Sequence, residues 1–158
     1  MSKSKITMTK IERIVVINRP VEEVFSFVTN AIYTAKWFPW MIESGKISPG
    51  LYDIGTLEYE ILHRFYFFGR KVKNICTVTN YQSNKIIERD IVAPHFLPWR
   101  SRFSFEPVGG GTKVTYTIMW EPIGLYRMVT SLCVIVFTIM DMVIPLGKLK
   151  ALLESKEH

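Results

Sequence analysis

Between Thr56 and Glu121 the apolar residues return at every second position, in five runs separated by short turn sequences. A period of two belongs to a β-strand with one face buried. Runs this close together pair antiparallel, because a parallel crossover needs a dozen or more residues. In Thr56 to Phe65 the alternating set is Leu57, Tyr59, Ile61, His63 and Phe65, with Glu58, Glu60 and Arg64 on the other face. Arg70 to Tyr81 places Val72, Asn74, Cys76 and Val78 on one side, and Lys85 to Ile91 is a shorter strand. Pro98 to Glu106 alternates Trp99, Ser101, Phe103 and Phe105 against Arg100, Arg102 and Ser104. Gly109-Gly110-Gly111 is a tight hairpin connection, and Thr112 to Glu121 returns with Val114, Tyr116, Ile118 and Trp120 inward.

A sheet with one apolar face needs a cover, and the last segment supplies it. Leu125, Val129, Leu132, Val136, Ile139, Val143, Leu146, Leu149 and Leu153 repeat at steps of three and four, one stripe of a long helix. Upstream, Thr9 to Asn18 is a first strand, stopped by Asn18-Arg19-Pro20. Proline followed by Glu22 and Glu23 is a helix start, so residues 20 to 29 form a short amphipathic helix through Val21, Val24, Phe25 and Val28. Residues 31 to 38 form a second short helix ended by Pro39, and Ile42 to Ser48 is a further strand. The prediction is one α+β domain over 1–158: about seven antiparallel strands curved around a long C-terminal helix, with two short helices after the first strand.

Composition narrows the function classes. The net charge is +6, but the Lys and Arg are scattered, and Arg70-Lys71-Val72-Lys73 alternates as a solvated strand face does, so no nucleic-acid partner is expected. The three histidines, His63, His95 and His158, lie far apart and none has metal-ligand spacing to a cysteine, so neither metal nor cofactor is expected. The two cysteines, Cys76 and Cys133, read as small buried hydrophobes in a reduced compartment. MSKSKITMTKIER has no apolar stretch of signal-peptide length, which points to a cytoplasmic protein.

The chain resembles the START-like helix-grip superfamily, also called SRPBCC, and within it the polyketide cyclase/dehydrase and lipid-transport family. The resemblance is carried by Ile17-Asn18-Arg19-Pro20-Val21-Glu22-Glu23-Val24-Phe25, by Trp37-Phe38-Pro39, by Phe105 to Val114 through the glycine hairpin, and by Leu149-Lys150-Ala151-Leu152-Leu153-Glu154. These segments mark a strand-to-helix entry, a hairpin and a helix end; none carries chemistry. The resemblance implies a cavity between the sheet and the last helix that side chains need not fill.

A ligand site in such a cavity is read from its walls. The candidate polar groups are Tyr59, His63, Asn74, Ser101 and Tyr116, since a few convergent polar groups orient a ligand in an apolar pocket. Asn74 stands out because Asn is depleted in strands. Trp99, Phe103, Trp120 and Val136 supply apolar wall, and Trp37, Phe38 and Trp40 are expected at the lip. Each aromatic at strand parity is equally a core residue. The expected activity is binding or carriage of a small hydrophobic ligand: a lipid, polyketide or isoprenoid-like molecule. The alternative is a cyclase or dehydratase with His63 as general base beside Tyr59. The last helix departs from the family pattern in Leu132 to Met140, and its outer face carries Val134, Phe137 and Ile144. That face predicts a homodimer contact or a peripheral membrane contact centred on Phe137.

Overall fold

A computed structural model describes residues 8–63, 70–94, 97–121 and 141–155. Seven strands form a single antiparallel sheet: β1 (Thr9–Ile17), β2 (Met41–Lys46), β3 (Leu57–His63), β4 (Lys71–Gln82), β5 (Ile86–Val92), β6 (Trp99–Val108) and β7 (Gly111–Trp120). Their spatial order is β1-β7-β6-β5-β4-β3-β2, so every strand from β2 to β7 lies beside its neighbour in sequence and β1 closes on the last strand. Two helices, α1 (Val21–Thr29) and α2 (Ala31–Trp37), follow β1. Residues 141–154 are the described part of the C-terminal helix, α3. This is the helix-grip arrangement expected above. Val134, Val136 and Phe137 lie outside the described residues, as do Phe65, His95 and Cys133; of the expected outer face only Ile144 is described, and it is exposed, as is Val143, whose expected inward place is taken by the buried Met142.

The elements form where local chemistry favours them. Pro20 precedes α1 and its carbonyl accepts from both Glu23 N and Val24 N, while Glu22 and Glu23 sit in the first turn, where acidic residues suit the helix dipole. Asn30 ends α1 and caps α2, its side chain accepting from Ile32 N at 3.1 Å. The β6–β7 hairpin turns at Gly109 and Gly110, both at positive φ (51° and 86°), a conformation that costs other residues most.

The core is one cluster on the inner face. Ile17, Val24, Val28, Ile87, Phe103, Phe105, Val114 and Tyr116 pack with Met142, Leu146, Leu149 and Leu153 of α3. Each large apolar side chain buried there contributes on the order of 1.5–3 kcal/mol. The end of α3 is also tied by hydrogen bonds to the corner between β1 and α1. Asn18 N donates to Glu154 Oε1 at 2.8 Å, Arg19 Nε to the Leu153 carbonyl at 2.9 Å, and Lys150 Nζ to the Val16 carbonyl at 2.6 Å.

One strand sits the other way round from the reading above. In β3, Glu58 and Leu62 are buried while Leu57 and His63 are exposed. Glu58 stands opposite Cys76 and Glu60 opposite Asn74, and both β4 partners are almost fully buried. The carboxylates therefore face inward, and Tyr59, Ile61 and His63 face outward. Beyond Cys76 the register of β4 on β5 shifts between Val78 and Asn80, a bulge that brings Tyr81 rather than Asn80 to the inner side, where Tyr81 packs on Phe25 and Tyr52.

Candidate functional site

The inner face carries a polar cluster across its middle strands. Arg89, central in β5, reaches across β4 to β3, and its Nε donates to Glu58 Oε2 at 2.6 Å. Its Nη2 donates to the Tyr52 hydroxyl at 3.1 Å. Next along β3, Glu60 Oε2 accepts from Asn74 Nδ2 at 3.4 Å. Cys76 is a buried free thiol near the Glu60 carboxyl. Ser101 and Tyr116 continue the buried polar row on β6 and β7. Apolar residues surround it: Phe103 stacks on Tyr116 with ring centroids 4.1 Å apart, and Trp37 meets Phe103 edge-on at 6.1 Å.

The electrostatics follow from burial. Burial works to lower the Arg89 pKa, but Glu58 and Tyr52 beside it outweigh that, and the net direction is upward, so Arg89 stays charged. Burial pushes the Glu60 carboxyl up; Arg89 and the Asn74 hydrogen bond pull it back only in part. Glu60 nevertheless keeps some accessible surface. Burial raises the Cys76 thiol and the Tyr116 phenol, with Glu60 the next cause for each and Asp141 of α3 adding to Tyr116. Cys76 is thus a poor nucleophile.

Two buried acceptors lack a donor. Glu58, 3% exposed, leaves Oε1 without a hydrogen-bond partner, and Asn74, 1% exposed, leaves Oδ1 without one. An unmet buried acceptor costs about 1–3 kcal/mol. An open cleft of about 510 Å³ lies between the α1–α2 junction and β2–β3, with Tyr52 and Glu58 in its lining.

Of the candidates read from sequence, the structure gathers Asn74, Ser101, Phe103 and Tyr116 on the inner face. Trp99 and Trp120 stand opposite each other in register at one end of the β6–β7 ladder, half-buried. Trp37 is 2% exposed and belongs to the core, not to a lip; Phe38 packs against that core and Trp40 is half-buried. Tyr59 lies on the outer face, its hydroxyl donating to Glu43 at 2.5 Å and its ring against Gly45, and it also lines the cleft. His63 is exposed on the same outer side, so the pair does not form an interior acid–base site. Val136 lies outside the described residues. Sequence reasoning missed Glu58, Glu60 and Arg89. The available signal was Arg89 between Ile87 and Ile91 at strand parity, a cation where an apolar residue belongs.

Among the described residues no group of acidic, His or Cys side chains is placed to hold a metal ion, and no helix is long and apolar enough to cross a membrane.

A curved antiparallel sheet gripping a C-terminal helix, with a polar cluster among apolar residues on its inner face, defines a helix-grip domain. The family model described as polyketide cyclase / dehydrase and lipid transport matches residues 8–154, and the chain belongs to that family. Solved structures agree on the fold. The Zhui aromatase/cyclase of a Streptomyces species is similar with a TM-score of 0.78 at 12% identity, over 96% of this chain and 97% of that one. Ara h 8.0201 is similar at 0.69 and 13% identity, over 95% and 100%. A Thermus thermophilus protein is similar at 0.69 and 15%, over 96% and 100%. No curated protein matches the chain.

Proposed function

We propose that the chain binds and carries a small, mostly apolar molecule that enters between the sheet and α3 and docks its polar end on the Glu58–Glu60–Asn74–Arg89 cluster. The observation that carries this reading is the pair of unmet acceptors, Glu58 Oε1 and Asn74 Oδ1, within an aromatic-walled interior. A dry core that ended there would hold two desolvated oxygens to no benefit. A ligand that is apolar over most of its length and polar at one point suits both the wall and the cluster. Family membership supports it, since the family's description includes lipid transport. The test is native mass spectrometry of the purified protein, followed by extraction and identification of the released small molecule. A co-purifying apolar molecule is the expected result. Protein that emerges empty, and that no apolar probe stabilises thermally, would overturn the reading.

A second reading is an enzyme of the cyclase or dehydratase type, favoured by the buried Glu60 carboxyl, whose pKa burial shifts upward, the direction that suits a proton donor. It moves the acid–base role from His63 and Tyr59 to Glu60. Turnover of a polyketide-like substrate that Glu60→Gln abolishes, while binding persists, would favour it over carriage.

A further inference from the structure

We infer that the outer face of β3 to β5 is a contact surface for an anionic lipid membrane, centred on Tyr59, Ile75 and Val92 and flanked by Lys71 and Lys73. The inference starts from register. Gly45, Tyr59, Ile75 and Val92 stand side by side on one rung across β2, β3, β4 and β5. Asn74 and Cys76 are buried on the inner side, so Ile75 between them points outward, 37% exposed, beside Val92 at 56%. Leu57, also 37% exposed, and Ile61 lie two residues either way from Tyr59 on the same side of β3. Single apolar residues at a surface need no explanation, but a contiguous row across three strands marks a contact.

Charge names the occupant. Lys73 stands opposite Ile61 and Lys71 opposite His63, so cations follow the apolar row toward the end of the β3–β4 pair. Both are exposed, as is Arg70 just before them, and among the described residues none of the three is ion-paired. The Lys73 ammonium lies 5.3 Å from the centre of the Tyr59 ring, which joins the charge to the apolar row. The nearby carboxylates of this face are engaged, Asp90 by Arg100 and Glu43 by the Tyr59 hydroxyl. A second copy of the chain would therefore bring unmatched lysines to the contact. Phosphate headgroups match them, while Tyr59, Ile75 and Val92 enter the interfacial layer. Residues 64–69 lie outside the described residues; in sequence they set Phe65, Tyr66, Phe67 and Phe68 between His63 and Arg70, aromatic types favoured at membrane interfaces. This surface is distinct from the outer face of α3, and it stands independently of the interior reading.

The experiment is co-sedimentation of the full chain with vesicles of phosphatidylcholine alone and of phosphatidylcholine with one-quarter phosphatidylglycerol. The parent should prefer the anionic vesicles by about a hundredfold, since each cation close to an anionic surface gives about fivefold. Lys71→Gln with Lys73→Gln should lose about thirtyfold of that affinity. The net charge of +6 calls for a control at equal charge. Lys10 and Lys85 are exposed on β1 and at the β4–β5 turn, away from the row, and Lys10→Gln with Lys85→Gln should stay within about threefold of the parent. Ile75→Ser with Val92→Ser, which keeps every charge, should weaken binding by about tenfold through lost apolar burial. Either pair on the row decides the point alone should the other fail to fold. A parent that binds neither vesicle, or both equally, would overturn the inference. So would a control pair that loses as much as Lys71→Gln with Lys73→Gln, which would leave only the net charge at work. A lipid-free dimer in sedimentation velocity that Ile75→Ser with Val92→Ser dissociates would assign the row to a second copy and overturn it too. None of these results bears on a co-purifying molecule, so this inference and the interior reading fail separately.

Discussion

Glu58 and Arg89 meet at 2.6 Å on the inner face of the sheet, 31 residues apart in the chain and each less than a tenth exposed. Their strands do not touch; β4 runs between them, and the Arg89 side chain spans it. The pair lies at the centre of the candidate site, and the first prediction below depends on it.

Removing one partner strands the other. Arg89→Met is expected to cost about 3–5 kcal/mol, because it leaves the Glu58 carboxylate buried without its cation. Glu58→Gln combined with Arg89→Met should recover much of that loss. Urea denaturation of both single variants and the double variant checks this; a double variant no more stable than the sum of the single losses would show that the two do not act as a pair.

Stability should depend on pH through Glu60. Its folded pKa is raised by burial above the unfolded value, so its contribution is fully present below the unfolded pKa and is lost as pH rises through the folded pKa. Glu60→Gln has no such titration. The variant should gain on the parent as pH climbs from about 4.3, the ordinary Glu value, toward alkaline conditions. Urea midpoints of both proteins at a series of pH values test it, and parallel curves would contradict the assignment.

His63→Ala should be nearly silent. The residue is exposed on the outer face, and surface changes of this kind stay within about 0.5 kcal/mol. Thermal melting and retention of any co-purifying molecule should match the parent. Loss of retention would return His63 to the site.

Two glycines should respond in opposite directions. A Cβ on Gly111 would lie 2.6 Å from the Ile17 carbonyl oxygen, so Gly111→Ala must push β7 from β1 and should cost about 1–3 kcal/mol. A Cβ on Gly147 in α3 meets nothing within 4 Å, and Gly147→Ala should stabilise by about 0.5–1 kcal/mol through helix propensity. Melting temperatures of the two variants give the signs directly.

The strands, the antiparallel meander of consecutive strands and the two short helices were legible because turn residues and periodicity act locally; the closing of β1 on β7 was not. The facing of β3 was not. Alternation identifies a buried face by assuming that it is apolar, and here Glu58 and Glu60 go inside because Arg89 and Asn74, on other strands, compensate them. Leu57 and Tyr59 then stand outside, where an apolar residue is merely tolerated. No window of β3 alone contains that information. The bulge in β4 was hidden for a related reason, since it inserts one residue without a turn signature. Asn74, Ser101, Phe103 and Tyr116 were placed correctly because their strands keep simple parity up to those positions.

The ties between the end of α3 and the corner after β1 bear on how the chain acquires its structure. Asn18 and Glu154 are 136 residues apart, and among the described residues β1 has no strand neighbour other than β7. During synthesis the first strand must wait for nearly everything that follows. The closing steps are therefore long-range, which slows folding and holds it back until α3 has been made. Until then the unpaired edge of β1, with Ile14 and Val16 at the surface even in the finished fold, is a place where a nascent chain can stick to its neighbours.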